Sequence, residues 1–503
     1  MTTLIFGDTV VGPEEFSASV ARIAGGLDRM GIGDGDVVAL MLKNDPVFVE
    51  AMMAVRQLGA YYCPINWHFK ADEAGYILRD CGAKLLVIHA ELLPQVDGAI
   101  PAGMPVLVAG AASASGDSLP AGMAAWDAWL AQQAAYAGPA RRPRGNMPYT
   151  SGTTGRPKGV RRDPIPEQRL AEITAKTQEL TRLAFGIAPG MKTLMAAPMY
   201  HSAPNLVALQ AAIFEGTIVI EPRFDAERAL ALIEMHELDH IYLVPTLMVR
   251  LLRLDADVRA RYDVSSMRYV SCMGSSCPPD VKSAMLDWWG PVIHESYAAS
   301  ELGAITIITP QEAMAKPGSV GLPAGGAVLK ILDGNGNEVP AGTVGTIYAR
   351  QPVYTDFTYN NNDGARRALE RGGLWTVGDM GYVDGDGYLY ICDRASDMVI
   401  SGGVNIYPVE IEHALMNMPG IADCAVFGIP DAEFGEALAA AVQMCEGHEA
   451  DAGAVRNFLA KRIAGYKVPR LVEFHAALPR EETGKIFKRK LKEPHWANAG
   501  RRI

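Results

Sequence analysis

The chain has 503 residues, and its 46 lysines and arginines against 57 aspartates and glutamates give a formal net charge of −11. Apolar residues make up 49% of the chain and charged residues 20%, which excludes a disordered, collagenous or coiled-coil protein. A chain of this length exceeds one hydrophobic core, so two or more domains are expected. The acidic balance argues against nucleic acid as a partner, because nonspecific binding to phosphates takes a basic surface.

Cysteine usage and hydropathy indicate a cytoplasmic protein. The seven cysteines include no Cys-x-x-Cys pair, which argues against a disulfide framework or a structural zinc site. The first residues lack the basic start and long apolar run of a signal peptide. The uncharged stretches 98–116 and 193–214 are interrupted by proline, glycine or polar residues, so no membrane span is predicted.

The first 135 residues alternate helix and strand patterns. Pro13, followed by Glu14 and Glu15, opens a helix with an apolar face. Strands are predicted at 37–42, 61–64 and 84–88, and helices at 48–58 and 71–80. The alternation resumes from about residue 146, with strands at 193–197, 217–221, 241–244 and 269–272 and helices at 224–236 and 279–289. This order favours α/β sheets with helices packed on them.

The character of the chain changes between residues 320 and 393. Short β-like runs there lie between turn signals such as Asp333-Gly334 and Asp386-Gly387, which indicates a small, mostly antiparallel subdomain. After Arg394 the alternation of strands and helices resumes on a smaller scale. About 110 residues suffice for an independent α+β domain, so we predict domains at 1–394 and 395–503.

The strongest local motif is TSGTTGRPKG, residues 150–159. Its glycines allow the backbone to approach a ligand closely, and its hydroxyls and Lys158 can converge on phosphate oxygens. The spacing differs from the Walker pattern. On composition alone, a hydroxyl-rich surface turn is an equally good interpretation.

Three further motifs carry polar chemistry. SYAASE, residues 296–301, offers an aromatic ring that can stack on a base and a carboxylate that can bind Mg²⁺. Asp379 in WTVGD can hold ribose hydroxyls. Lys485 follows a glycine and can reach an anionic transition state, although Lys488, Arg489, Lys490 and Lys492 favour a solvated basic tail instead. Each motif alone is better explained by ordinary turns and core packing.

Taken in order, the motifs closely resemble those of the AMP-forming adenylate ligases. That superfamily includes acyl- and aryl-CoA synthetases, luciferases and the adenylation domains of peptide synthetases. The resemblance spans almost the whole chain. It rests on six segments: TSGTTGRPKGV, APMYHSAP, SYAASE, WTVGD, DRASDMVISGGVNIYPVEIE and PREETGKIFKRKL.

The resemblance implies an α/β fold: a large N-terminal domain of two α/β lobes plus a small β-barrel, and a mobile C-terminal α+β domain. ATP, Mg²⁺ and the co-substrate CoA are implied as well. The implied phosphate-loop residues are Thr150, Ser151, Gly152, Thr153, Thr154 and Lys158. The residues implied around the adenine are Gly274, Ser275, Ser276 and Tyr297. The implied phosphate and Mg²⁺ positions are Ser300 and Glu301, and the ribose positions are Asp379 and Arg394.

The resemblance also implies two catalytic steps and a domain rotation between them. Lys485 is the implied lysine of adenylation, and the Gly402-Gly403 turn is implied to line the pantetheine channel in the second step. The implied hinge is 395–397.

The acyl pocket is the least defined part of the expected site. His201 is implied as a gating residue, with a packing role as the alternative. The other expected pocket residues are Ser202, Ala203, Asn205, Met273, Gly274, Ala298 and Ala299. An α-amino acid is disfavoured because no acidic residue lies in 197–205 to pair with its ammonium. Small side chains indicate a roomy apolar pocket, so a medium- or long-chain fatty acid is the first choice and an aryl or alicyclic acid the second.

The expected partners are therefore small molecules: a carboxylate, ATP and CoA. An acyl-AMP ligase that loads a separate carrier protein is the enzymatic rival. A non-catalytic acyl or nucleotide sensor is the rival from another class, although such a binder would not need Lys485. The sequence does not define the oligomeric state and is compatible with a homo-oligomer.

Overall fold

A computed structural model describes residues 2–111, 119–139, 141–150, 156–431, 433–480 and 486–497. The chain divides into two units. The first comprises residues 1–315, 323–328 and 350–375, and the second comprises residues 316–322, 329–349 and 376–503. The sequence-based boundary at residue 394 lies inside the second unit and stays a prediction.

The first lobe of the first unit is built on a parallel sheet in the order β4-β3-β5-β6-β7. Pro13 begins the first helix. Proline is favourable at this position because the first N–H groups of a helix have no hydrogen-bond partner within the helix, so the absence of an N–H costs nothing. The Asp45 carboxylate caps the second helix by accepting from the Val47 N–H at 2.8 Å. The strands of this part of the chain are Thr3–Phe6 (β1), Thr9–Val11 (β2), Val37–Met41 (β3), Tyr61–Pro64 (β4), Leu85–His89 (β5), Val106–Ala109 (β6) and Met123–Ala125 (β7), of which β1 and β2 join the larger sheet of the second lobe. The helices are Pro13–Arg29 (α1), Pro46–Gln57 (α2), Ala71–Asp80 (α3) and Trp126–Leu130 (α4).

The second lobe holds a larger sheet, with strands in the order β15-β14-β13-β12-β10-β11-β1-β2. The strands are Tyr149–Thr150 (β8), Lys158–Arg162 (β9), Lys192–Met195 (β10), Thr217–Ile220 (β11), His240–Leu243 (β12), Tyr269–Cys272 (β13), Ile293–Ala299 (β14), Gly303–Ile308 (β15) and Leu322–Pro323 (β16). The helices are Leu170–Phe185 (α5), Ser202–Ile213 (α6), Ala226–His236 (α7), Pro245–Leu252 (α8), Ala256–Arg259 (α9), Pro279–Trp289 (α10) and Pro310–Ala315 (α11). Strands β10 to β14 run parallel, so their carboxyl ends meet at one edge, where such sheets bind ligands.

The next segment contributes strands to both units. They are Val328–Leu332 (β17), Gly345–Arg350 (β18), Phe357–Tyr359 (β19), Glu370–Arg371 (β20), Leu374–Trp375 (β21), Asp379–Val383 (β22) and Leu389–Arg394 (β23), with the helix Asp363–Arg367 (α12). In the second unit, β22 pairs antiparallel with both β18 and β23. No closed β-barrel is detected among the described strands of this sheet.

The rest of the second unit is an α+β fold around its own core. Its strands are Val399–Ser401 (β24), Val404–Ile406 (β25), Ile421–Asp431 (β26), Gly435–Met444 (β27) and Leu471–Phe474 (β28), and its helices are Pro408–Met416 (α13), Ala452–Ala460 (α14) and Lys488–Trp496 (α15). The sheet runs β25-β24-β27-β26, and β28 joins β27. Ile411, Leu415 and Val455 pack on the sheet from its helices. Within the described ranges, every helix is too short or too polar to span a bilayer.

A buried carboxyl group between α1 and α2 makes the stability of the first unit depend on pH. Glu50 is 8% exposed, and burial raises its pKa to about 7 despite a hydrogen bond from Ser19. The unfolded chain loses this proton near pH 4.5, whereas the folded chain keeps it to about pH 7. The contribution of Glu50 is therefore fully present below pH 4.5 and is lost as the pH rises through 7.

We therefore expect Glu50→Gln to stabilise the protein at pH 8 by up to about 3 kcal/mol relative to the wild type, and much less at pH 5. Urea unfolding of both proteins at the two pH values measures this. Glu14→Gln on the exposed side of α1 is the matched control and should give no such difference, because Glu14 is not among the groups that shift the pKa of Glu50. A Glu50→Gln gain that is equal at pH 5 and pH 8 would contradict the assignment.

Candidate active site

A three-stranded antiparallel sheet in the first unit frames the candidate site. Its order is β19-β9-β8, and it places Thr150 opposite Lys158 and Tyr359 opposite Val160. The Lys158 Nζ lies 5.1 Å from the centroid of the Tyr359 ring, within reach of a cation–π interaction. The sheet thus joins the end of the predicted phosphate loop to a tyrosine two hundred residues further along the chain.

Glu301 is the carboxylate on which these strands converge. It follows β14 at the carboxyl edge of the larger sheet and is 8% exposed. Its Oε1 accepts from the Tyr359 hydroxyl at 2.9 Å and from the Thr150 hydroxyl at 3.1 Å. Two hydroxyl donors on one oxygen satisfy a buried charge in part and fix the plane of the carboxylate.

Arg162, at the end of β9, holds the backbone beneath this carboxylate. Its guanidinium donates to the carbonyls of Ser300 at 3.2 Å and Glu301 at 2.5 Å. It also donates to the Thr355 carbonyl, shortly before β19. Arg162 therefore connects three chain segments of the site: β9, the Ser300-Glu301 segment and the residues before β19.

Burial governs the electrostatics of this cluster. It lowers the pKa of Arg162, although the guanidinium still stays charged at any ordinary pH. Burial, and then the charge of Glu301, raises the pKa of Tyr359 well above its usual value. Tyr359 therefore keeps its proton and remains the hydrogen-bond donor in the pair.

The predicted gate residue lies at the start of α6. His201 is the N-cap residue of that helix, and its ring centroid is 4.2 Å from that of Tyr200. The neighbouring Ser202 hydroxyl lies 2.7 Å from the Ser300 hydroxyl. The structure thus brings the 197–205 motif and the Ser300-Glu301 pair together. Asn205, by contrast, is fully buried and hydrogen-bonded to the Tyr62 hydroxyl and to the Met199 carbonyl. It therefore has a structural role and fixes the backbone of the 197–205 motif.

The predicted adenine-binding residues form a turn after β13 and part of β14. Gly274 has φ +98°, which side-chain-bearing residues rarely adopt, and an added Cβ would lie 3.3 Å from the Tyr242 hydroxyl, so glycine is favoured there. Gly274 and Ser275 are exposed, Ser276 is half-buried, and Tyr297 is buried. A bulge between Tyr297 and Ala298 shifts the register of β14 just before Ser300.

The second unit carries the other predicted residues. Asp379 and Arg394 lie opposite each other on β22 and β23, with 3.3 Å between Asp379 Oδ1 and Arg394 Nε. Gly402 and Gly403 form the two-residue turn between β24 and β25, and both have positive φ, which explains the two glycines. Ser151, Gly152, Thr153, Thr154 and Lys485 lie outside the described residues.

Two of the four basic residues that favoured a solvated tail, Lys488 and Lys492, are largely buried against acidic partners, whereas Arg489 and Lys490 are exposed. The Lys488 side chain is 16% exposed, and its Nζ lies 2.8 Å from Glu412 Oε1. Lys492 is 8% exposed and forms an ion pair with Asp397 at 3.2 Å. The reason is that α15 packs against the sheet of the second unit, where acidic side chains compensate these amines.

Sequence analysis missed two residues that the structure places in the site. Arg162 is the last residue of β9, shortly after the phosphate-loop motif, so its proximity in the sequence was a usable signal. Tyr359 lies in the polar stretch TYNNND, which reads as an ordinary turn. Its role depends on a long-range strand pairing that no local pattern reveals.

The residues present fit a magnesium–nucleotide complex. Mg²⁺ prefers one or two carboxylates together with substrate phosphates and water. Glu301 supplies one buried carboxylate; among the described residues both hydroxyl contacts go to Oε1, and Oε2 would hold the ion. No group of three or more His, Cys, Asp or Glu side chains in the described part of the chain could hold a metal by itself. When bound, Mg²⁺ would offset phosphate charge.

The fold and this site define an adenylate-forming enzyme. The family model of the AMP-binding enzymes matches residues 2–356, and that of the AMP-binding enzyme C-terminal domain matches residues 410–485. The chain belongs to this family. It is an AMP-forming acid–thiol ligase, an activity that uses ATP, Mg²⁺ and CoA.

Relatives with named activities cover nearly the whole chain. A feruloyl-CoA synthase of an Amycolatopsis species is 33% identical over 494 residues, which are 97% of this chain and 94% of the relative. A long-chain-fatty-acid–CoA ligase of Mycobacterium tuberculosis is 31% identical and covers 96% of this chain and 93% of its own. The crystal structure of the anthranilate-CoA ligase AuaEII with anthranoyl-AMP matches with a TM-score of 0.85 and 26% identity, over 99% of this chain and 95% of that one.

Proposed function

We propose that the protein activates an aromatic carboxylic acid and transfers its acyl group to CoA. In the first step a carboxylate oxygen attacks the α-phosphorus of ATP and the bond to pyrophosphate breaks, giving acyl-AMP. In the second step the CoA thiol attacks the acyl carbonyl, the bond to AMP breaks, and the thiol proton passes to solvent. Both steps depend on positioning and on neutralised charge.

The observation that carries the proposal is the cluster of Thr150, Lys158, Glu301 and Tyr359. It places an amine, a hydroxyl and a buried carboxylate at the end of the phosphate-loop motif, next to the carboxyl edge of a parallel sheet. A binding protein that only sensed a nucleotide would not need the additional Lys485. For the residues outside the described ranges, the roles implied by the family resemblance are part of the proposal.

The choice of an aromatic acid departs from the fatty acid that the sequence alone favoured. Two of the three relatives named above act on aromatic acids by name, and one acts on long-chain fatty acids. The packed rings of Tyr200 and His201 directly precede Ser202, whose hydroxyl lies 2.7 Å from that of Ser300, so aromatic side chains lie near the expected position of the acyl group. A fatty acid is the second candidate, on the strength of the mycobacterial relative.

The roles in the second unit are likewise proposals. Asp379 and Arg394 are assigned to the ribose, and the Gly402-Gly403 turn to the pantetheine channel of the second step. Residues 395–397 are assigned as the hinge of a C-terminal domain that begins at residue 395. A cytoplasmic location also stays a prediction.

A panel of carboxylates with ATP, Mg²⁺ and CoA tests the proposal. It should include ferulate, anthranilate, octanoate, palmitate, acetate and phenylalanine, with AMP and acyl-CoA measured by mass spectrometry. We expect the aromatic acids to give the highest kcat/KM. A preference for palmitate would overturn the aromatic assignment and leave the ligase activity intact. Acyl-AMP that accumulates regardless of CoA would indicate a carrier protein as acceptor, and ATP binding without any product would indicate a sensor.

A further inference from the structure

The Tyr359 hydroxyl makes a contact that the adenylation chemistry described above does not use. It donates to Glu301 Oε1 at 2.9 Å, and the Thr150 hydroxyl donates to the same oxygen at 3.1 Å. Both distances are those of good hydrogen bonds. The second carboxylate oxygen, Oε2, receives neither of them. The Glu301 side chain is therefore held in one orientation, with Oε1 hydrogen-bonded to the protein.

The ring of the same tyrosine has a second contact. The Lys158 Nζ lies over it at 5.1 Å from the centroid, so one side chain touches both the candidate metal ligand and the candidate phosphate-binding amine. Tyr359 is buried, at 5% exposure, and its strand is held by pairing with Arg162, Arg161 and Val160. A rigid strand therefore supports the contact, as a positioning role requires.

We propose that Tyr359 is a positioning residue for nucleotide activation: its hydroxyl fixes Glu301 so that Oε2 faces Mg²⁺, and its ring holds Lys158 in place. This inference rests on the proposed function, because it takes Glu301 as the Mg²⁺ ligand and identifies Tyr359 as the residue that orients it. Tyr359 itself touches no reacting atom. Its effect passes through Glu301 and Lys158.

Tyr359→Phe separates the two contacts, because it keeps the ring and removes the hydroxyl. We expect Mn²⁺ to bind about tenfold more weakly to the complex of the enzyme with α,β-methylene-ATP, as measured by electron paramagnetic resonance. The Mg²⁺ concentration for half-maximal pyrophosphate release should rise by a similar factor, with the maximal rate at saturating Mg²⁺ within threefold of the wild type. Tyr359→Leu also removes the ring and should raise the KM for ATP in addition.

Tyr269→Phe is the matched control. Its hydroxyl donates to the Leu183 carbonyl at 2.7 Å elsewhere in the same unit, so the variant loses a comparable hydrogen bond away from Glu301. The control should bind Mn²⁺ as the wild type does. Melting temperatures of both variants report on folding independently of metal binding.

A double-mutant cycle with Glu301→Gln tests whether Tyr359 acts through that carboxylate. If it does, Tyr359→Phe should weaken Mn²⁺ binding no further once Glu301 has been replaced. Mn²⁺ binding to Tyr359→Phe equal to that of the wild type, or additive effects in the cycle, would overturn the inference. Its failure differs from failure of the proposed function, in which the wild type would release no pyrophosphate with any carboxylate.

Discussion

Replacing Lys485 by alanine is expected to slow the formation of acyl-AMP by about 10²–10³-fold. An amine that touches the attacking carboxylate and the α-phosphate stabilises charge only in the adenylation transition state, so its loss lowers the rate of that step. Thioester formation from supplied acyl-AMP should stay within a few-fold of the wild type. The two half-reactions are measured separately, as pyrophosphate release without CoA and as AMP release from synthetic acyl-AMP with CoA.

Lys490→Ala is the control for this experiment. Lys490 lies five residues further on, is exposed and stacks only on the Phe487 ring among the described residues, so its loss removes a nearby positive charge without touching the assigned role. It should leave both half-reactions unchanged. Equal losses of both half-reactions in Lys485→Ala would show that this lysine is not specific to the first step.

Replacing Lys488 by methionine is expected to destabilise the second unit by about 3–5 kcal/mol. The ammonium lies 2.8 Å from Glu412 Oε1, and that oxygen also accepts from the Val426 N–H at 2.7 Å. Burial alone would lower the pKa of Lys488, but nearby carboxylates outweigh burial and raise it above its usual value; they belong to Glu412, Asp393 and Asp397. Methionine keeps the apolar stem and leaves those carboxylates uncompensated.

The destabilisation by Lys488→Met should depend on pH. Burial raises the pKa of Asp393 to about 6, and the charge of Lys488 works against this rise. Without that charge the carboxyl pKa rises further, so the folded variant gains protons as the pH falls. We therefore expect a smaller loss of stability at pH 5 than at pH 8.

Hydrogen exchange of β26 and β27 in urea at the two pH values measures the stability of the second unit. Lys488→Arg keeps the charge and should restore most of the stability, whereas Lys490→Met removes an exposed lysine and should change little. Lys488→Met combined with Glu412→Gln should recover part of the loss, because an uncharged pair needs no compensation. Equal stability of Lys488→Met and Lys490→Met would refute the buried ion pair.

Local patterns were sufficient for most elements of the fold. The helix at 71–80, the strand at 269–272 and the helix at 279–289 have the predicted bounds. Their apolar spacing, the proline that begins the helix at 279–289 and the glycines that follow these elements act within a few residues, which is the range that sequence patterns report. The region 101–145 contributes β6, β7 and α4, which the sequence patterns did not predict, because these elements are short and lack a clear alternation of apolar and polar residues.

The candidate site was predictable where a motif is contiguous. Glu301, Thr150 and Lys158 were identified from their motifs, and the structure brings them together. Tyr359 and Arg162 join the site through strand pairing and through contacts across more than a hundred residues. Lys488 looked solvated because its compensating carboxylates lie elsewhere in the chain. Such partners depend on the tertiary fold, which local sequence does not contain.

The exchange of labelled pyrophosphate into ATP without CoA tests the central claim most directly, because it requires reversible formation of acyl-AMP. We predict exchange that depends on an aromatic carboxylate and on Mg²⁺ and that is lost in Lys485→Ala. Absence of exchange with every carboxylate of the panel, or ATP cleavage to ADP instead, would contradict activation by adenylation.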